Sequence, residues 1–295
     1  MHDNTMTLTK VNKKKSNFRK LWYKFSRNKL SIVGLVIVFA VIFLAVFAPY
    51  VTPYPEQAGS FVDFRNSGKG PSLEHWFGTD VVGRDILTRI IFALRGALTM
   101  GIISLAIVVP VGVTAGLFAG YYAGTWGDTL IMRVTDVFLA IPPLILALAI
   151  AAMLEPTLTN SLLAISLAWW PWYARLVYGM ASSIRNEPFI KAADFIGAGK
   201  GHIMFKEMLP NFLAPILTKI TLDMGWIILM GATLSFVGLG EQPPTPALGN
   251  MVSDGAKYLP EKWWISVFPA IAIMIIILGF NLLGDGVRDM LSTEE

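Results

Sequence analysis

Apolar residues gather along this chain in long runs that show no polar face. Six stretches reach the roughly twenty mostly apolar residues that a helix needs to cross a bilayer: near Leu30–Pro49, Leu98–Tyr121, Leu130–Leu154, Pro156–Trp172, Phe212–Leu239 and Trp263–Leu283. Runs such as Ile32–Ala48 and Ile265–Leu283 are apolar on every helical face, so they are built for lipid and not for one wet side. They do not alternate in polarity as the strands of a transmembrane barrel must. The pattern predicts an all-α polytopic membrane protein of six transmembrane helices, with a polar helical loop on the inner side between the fourth and fifth.

Composition agrees with this picture, with 54% hydrophobic and 15% charged residues against roughly 25% charged in a soluble domain. Charge then orients the chain. The tail before the first span carries Lys10, Lys13, Lys14, Lys15, Arg19, Lys20, Lys24, Arg27 and Lys29 against Asp3, which holds it in the cytoplasm. Contact with anionic lipid accounts for this basic tail without any nucleic acid. The first span exceeds a signal-peptide core and is expected to be retained. Loops 50–97, 155–159 and 240–262 then face outside, while 122–129, 173–211 and the C-terminus face inside. The domains read as a basic tail over 1–29, a membrane domain over 30–290 and a cytoplasmic end over 291–295. With no cysteine in the chain, disulfide and thiol chemistry are excluded.

Two appendages flank the first span. Leu21-Trp22-Tyr23-Lys24-Phe25 is expected to lie as an amphipathic segment on the inner surface. Outside, a Pro- and Gly-rich loop from Tyr50 leads to Ile86, Ile90, Ile91 and Leu94 at helical spacing, which predicts a separate amphipathic helix ending near Arg95. Within the second span, Gly112, Gly116 and Gly120 make a continuous small face, suited to close helix packing or to lining a groove. Pro110, Pro142-Pro143 and Pro215 are expected to kink or unwind their spans.

The inner loop between Glu187 and Asn211 carries most of the information. Pro188 suits a helix start, and Phe189-Ile190-Lys191-Ala192-Ala193-Asp194-Phe195-Ile196 supports a short helix. Gly197, Gly199 and Gly201 break it, and His202–Leu209 resumes a helix that meets Pro210. Apolar side chains ringed by charge on such a loop suit a protein-docking surface; an amphipathic helix on the membrane is the other reading. Gly197-Ala198-Gly199-Lys200-Gly201 lacks the spacing of a phosphate loop and is no nucleotide site.

Charges inside the spans are few. Arg133 and Asp136 stand one turn apart and are expected to pair within the helix. Asp223 either faces the bundle interior or pairs with Lys219; an acid of this kind also suits a proton-coupled carrier. His2, His75 and His202 are too scattered for a metal site, and no catalytic constellation is present.

Ala192-Ala193, Gly197 and Leu209-Pro210 resemble the EAA loop of ATP-binding-cassette importer permeases, with Lys191 where the family's Glu usually stands. His75-Trp76-Phe77-Gly78-Thr79-Asp80 with Gly83-Arg84-Asp85 resembles the external signature of the C-type subunit of the dipeptide/oligopeptide/nickel subfamily. Asp128, Arg133, Asp136-Val137-Phe138-Leu139-Ala140-Ile141-Pro142, Phe236–Gly240 and Gly284–Asp289 are similar to further signatures, from about Leu30 to Met290. The resemblance implies a coupling helix over Phe189–Ala198 that sits in a groove of an ATPase. It also implies a B-type permease partner, two cytoplasmic ATP-binding subunits that use ATP and magnesium, and an external substrate-binding protein. The chain itself would perform no catalysis, bind no cofactor and no metal, and sit in the plasma membrane of a prokaryote. Peptides are the cargo implied first, with oligosaccharides or nickel chelates as alternatives.

Overall fold

The computed structural model describes residues 21–291; most of the basic tail and residues 292–295 lie outside them. Nine helices carry the described architecture: α1 (Lys29–Val46), α2 (Ile86–Tyr121), α3 (Trp126–Leu139), α4 (Pro143–Ala151), α5 (Leu158–Ile184), α6 (Pro188–Phe195), α7 (Leu213–Phe236), α8 (Leu248–Ala256) and α9 (Trp264–Leu291). No strand is named among the described residues. Four of the helical stretches are long and apolar enough to cross a membrane, or five if the bent pair α3–α4 makes one span.

Three expectations are corrected. The amphipathic helix before the second span is not separate: α2 runs unbroken for 36 residues, about 54 Å at 1.5 Å per residue. Asp85 accepts from the Thr88 amide at 2.7 Å and starts it, no proline stands between Ile86 and Leu98, and the helix absorbs the lone Gly96. The loop after α1 therefore ends at Asp85, not near Arg95. The fourth span does not stop at the tryptophans. α5 continues to Ile184, because Pro171 is absorbed within it and no further breaker follows. Finally, neither Pro110 nor Pro215 unwinds its helix. Pro215 sits in the first turn of α7, where its missing N–H costs little.

Pro142-Pro143 does break its span, and α3 and α4 meet at 85°. The chain also changes winding before α7. Lys200–His202 is α-helical, Ile203–Met208 is a π-helical stretch and Leu209–Phe212 is 3₁₀. Asn211 Nδ2 donates to the Glu207 carbonyl at 2.6 Å across this change.

Packing centres on α2 against α5. The small face of α2 is a packing face. A Cβ on Gly112 would stand 2.5 Å from the Trp170 carbonyl oxygen and the Tyr173 Cβ. Gly116 and Gly120 meet Ala174 and Ala181 in the same way. In lipid, where apolar burial gives no net drive, such close backbone approach is what holds helices together. α9 takes α1 on one flank and α7 on another. Helical residues 21–27 stack Trp22 on Phe25 at 5.7 Å, and Phe25 is buried against Gly286 of α9. The segment thus anchors on the bundle while Trp22 and Tyr23 remain exposed.

Candidate functional site

Two polar regions stand at opposite ends of the bundle, and a few charges lie between them. At one end is α6. Pro188 occupies its first turn, where the fixed φ favours helix and no in-helix donor is lost. The helix closes on Gly197, which takes φ +82°. The Gly197 amide donates to the Asp194 carbonyl and the Ala198 amide to the Ala193 carbonyl, both at 3.0 Å. That pair of bonds is the Schellman ending, which calls for a residue free to adopt left-handed geometry.

The closure gives α6 two faces. Ile190 is 3% exposed, and Ala193 and Ala198 pack against the core. Phe195 and Ile196 are 94% and 82% exposed, with Phe189, Lys191, Ala192 and Asp194 also at the surface. Two large apolar side chains side by side in the open, beside Lys191 and Asp194, are what a partner surface buries. Neither Lys191 nor Glu187 forms an ion pair among the described residues. Leu209 and Pro210 lie at the start of the 3₁₀ turn leading into α7, so α6 joins the membrane helices through the irregular stretch 200–212. On its other side, Arg185 donates to the Ala123 carbonyl, which ties the end of α5 to the turn after α2.

At the far end, the residues before α2 form a closed polar knot. Asp80 accepts from the Val82 and Arg84 amides at 3.0 and 2.9 Å and from Arg84 Nε at 2.7 Å. Arg89 Nε stands 3.7 Å away, and its guanidinium donates to the Ala58 and Pro244 carbonyls at 3.0 and 3.4 Å. Asp85 meets His75 Nδ1 at 2.9 Å, while its amide donates to Gln57 Oε1 at 2.7 Å. Gly78 and Gly83 make the turns, with φ of +75° and +85°. Trp264 Nε1 donates to the Thr79 carbonyl at 3.3 Å and pins the knot to α9. Thr79, Asp80, Asp85 and Arg89 are all buried. These signature residues tie the loop before α2 to α2, to α9 and to the loop after α7, and present little surface of their own.

Between the two ends, Asp223 of α7 is buried and lies 3.0 Å from Lys219 Nζ. Trp169 Nε1 of α5 donates to the same carboxylate at 2.8 Å. The expected Lys219 partnership is present, and the indole is an addition that sequence reasoning missed. The expected pairing of Arg133 with Asp136 is corrected, since Asp136 pairs with Arg175 of α5. The sequence pattern puts Arg175 in the loop 173–211, beyond the span. It enters the bundle because α5 runs on past Trp172, and it bridges α5 to α3. Arg133, on the exposed side of α3, has no ion partner among the described residues.

Comparison with known proteins follows the same lines. Residues 112–294 match the family model described as binding-protein-dependent transport system inner membrane component. Residues 16–68 match the N-terminal transmembrane domain of oligopeptide transport permease C. The dipeptide transport system permease protein of Alkalihalophilus pseudofirmus is 44% identical over 278 residues, which cover 94% of this chain and 90% of that protein. The glutathione transport system permease protein of Escherichia coli is 38% identical over 288 residues, covering 98% and 94%. Among solved structures, the MetNI methionine ABC transporter in an inward-facing form aligns with a TM-score of 0.56 at 17% identity. That alignment covers 69% of this chain and 96% of the other, and it speaks for the fold alone. The chain belongs to the family of inner-membrane components of binding-protein-dependent transport systems, in its oligopeptide-permease branch: the permease subunits of ATP-binding-cassette importers.

Proposed function

We propose that this chain forms half of a peptide passage and receives its driving force at α6. The observation that carries this is the two-sided build of α6, with Ile190 anchored in the bundle and Phe195 and Ile196 almost fully exposed. The cargo assignment leans on relatives whose names state dipeptide and glutathione transport. A B-type permease supplies the other half of the passage, and two cytoplasmic ATPases that bind ATP and magnesium close against the coupling helices. An external binding protein delivers the peptide. The bent pair α3–α4 and α5 join the four apolar helices to make six spans, with both termini cytoplasmic. α5 falls short on hydropathy because it carries Asn160, Arg175 and several indoles, yet at about 40 Å it is long enough to cross.

Mechanically, ATPase closure displaces α6, and the stretch 200–212 passes the displacement to α7. Hydrolysis resets the assembly. Replacing both Phe195 and Ile196 with Asp tests the docking. ATP-driven uptake of a labelled dipeptide should fall to background while the chain still inserts and still copurifies with its permease partner. Uptake at the wild-type rate would refute docking at α6.

A further inference from the structure

Charged side chains on a membrane-spanning helix are tolerated where they meet protein or water and not lipid tails. α3 and α5 break that rule in the isolated chain. Asp136 and Arg175 pair across the two helices with 44% of each side chain exposed. Arg133, one turn earlier on α3, is also exposed. Around Gly179, one turn further along α5, the space is open, and Trp172 adds an exposed indole one turn before Arg175. The same region holds the 85° break between α3 and α4, whose linking residues Ala140, Ile141 and Pro142 are all exposed. Irregular backbone at membrane depth is found only where it is buried in protein or lines a water-filled cavity. Two independent features, free charge and broken backbone, therefore exclude lipid from one face.

The charges on that face do not balance. Two guanidiniums stand against one carboxylate, and Asp136 is already engaged by Arg175. We propose that this face lines the aqueous passage, and that Arg133 takes the carboxylate of the peptide passing through. The inference rests on the permease reading above and adds a station within it. A planar guanidinium matches a carboxylate in two-point hydrogen bonding, and a single exposed contact of this kind holds cargo briefly without trapping it. The Asp136–Arg175 pair keeps the neighbouring carboxylate occupied, so that Arg133 stays open to the substrate.

This chain has no native cysteine, so cysteine variants of it, compared with the wild-type chain in the same assembled importer in cells, give a direct test. Arg133→Cys should lower ATP-driven uptake of a labelled dipeptide at least tenfold with membrane abundance unchanged. Treatment with a cationic thiol reagent should restore most of the rate, while a neutral reagent of equal length should not. Arg133→Lys should keep about half of the wild-type rate. A cysteine at Gly179 should react with charged, membrane-impermeant reagents, and one at Ile103 should not. Unchanged uptake in Arg133→Cys, or equal rescue by the neutral reagent, would overturn the carboxylate station. An unreactive cysteine at Gly179 would overturn the aqueous face. Wild-type uptake that ignores ATP would overturn the permease reading, and the station with it; ATP-driven uptake that survives Arg133→Cys would remove the station alone.

Discussion

The two ends of the molecule are built on opposite terms. The knot before α2 buries Thr79, Asp80, Asp85 and Arg89 in a closed set of hydrogen bonds that reaches α2 and α9 and the loop after α7. The segment after α5 exposes most of α6 and connects it through a π-helical and a 3₁₀ stretch. Buried charge is tolerated only when fully partnered, and once partnered it resists rearrangement. Exposed apolar side chains on a glycine-ended helix are held by little and are free to be claimed by another protein. One end is made to keep its shape; the other is made to be pushed. Each substitution below tests whether stability and coupling separate along that axis.

The largest expected effect is on stability, at the knot before α2. Asp80→Ala removes the partner of Arg84 and the acid nearest Arg89, and leaves two largely buried guanidiniums short of their closest counter-charge. Breaking a buried pair from one side costs about 3–5 kcal/mol, so thermal unfolding of the detergent-solubilised chain should begin well below that of the wild type. A loss under about 1 kcal/mol would show the knot to be decoration on a fold held elsewhere.

Next comes the seam between the ends. Asp223→Leu leaves Lys219 and the Trp169 indole without their acceptor and should cost about 3 kcal/mol. Replacing Lys219 with Leu as well should recover much of that loss, because the pair is removed whole. This double replacement also separates the rival reading. A proton-coupled carrier would lose transport whenever Asp223 is missing, whereas an ATP-driven permease should retain it in the double variant.

The segment after α5 should show the reverse of the knot, with a small loss of stability and a large loss of function. Gly197→Ala puts a side chain at φ +82°, at a cost of about 1–2 kcal/mol. No neighbour lies within 4 Å of the added carbon, so crowding adds nothing. Peptide uptake should fall severalfold while abundance stays near wild type. Ala192→Leu and Ala193→Leu sharpen this further. Ala193 faces the core and Ala192 faces out, so the first change should act only with the ATPase present, and the second should also lift α6 from the bundle.

How much of this was legible in the sequence depends on the range of the interaction. Ile32–Ala48 in and after α1 and Ile265–Leu283 of α9 are apolar on every face, and a run of that kind reads directly as a span. The Pro142-Pro143 break and the Gly197 ending are local chemistry and were equally plain. What failed was the placement of charge. Arg175 was assigned to a loop because Trp169, Trp170 and Trp172 look like a headgroup belt, although nothing after them stops a helix. Its bond to Asp136 joins residues 39 apart on two helices, and no spacing rule reaches that far. The knot was recognised as a signature, but its partners Gln57, Arg89 and Trp264 come from three other parts of the chain and emerge only on folding.

The smallest effect belongs to Glu241, in the loop after α7 near the knot. Its carboxyl lies against Gly96 of α2 and beside a water-sized cavity lined by Ala93, Ala97 and Pro246. Burial raises its pKa above the ordinary glutamate value. A folded state that holds its proton more tightly than the unfolded state loses stability as pH rises from the ordinary glutamate range through the raised value. At neutral pH, above the ordinary glutamate range, the buried carboxylate therefore carries a penalty that is absent in acid. Glu241→Gln keeps the shape and removes the charge, so its melting temperature at pH 7 should rise by about 1 °C. The gain should shrink toward zero as pH falls below the ordinary glutamate range. The side chain is only partly buried, and solvent screening keeps the gain small. A gain that persisted unchanged at pH 4 would assign it to packing, and would mean that even this acid at the edge of the knot is held by shape and not by charge.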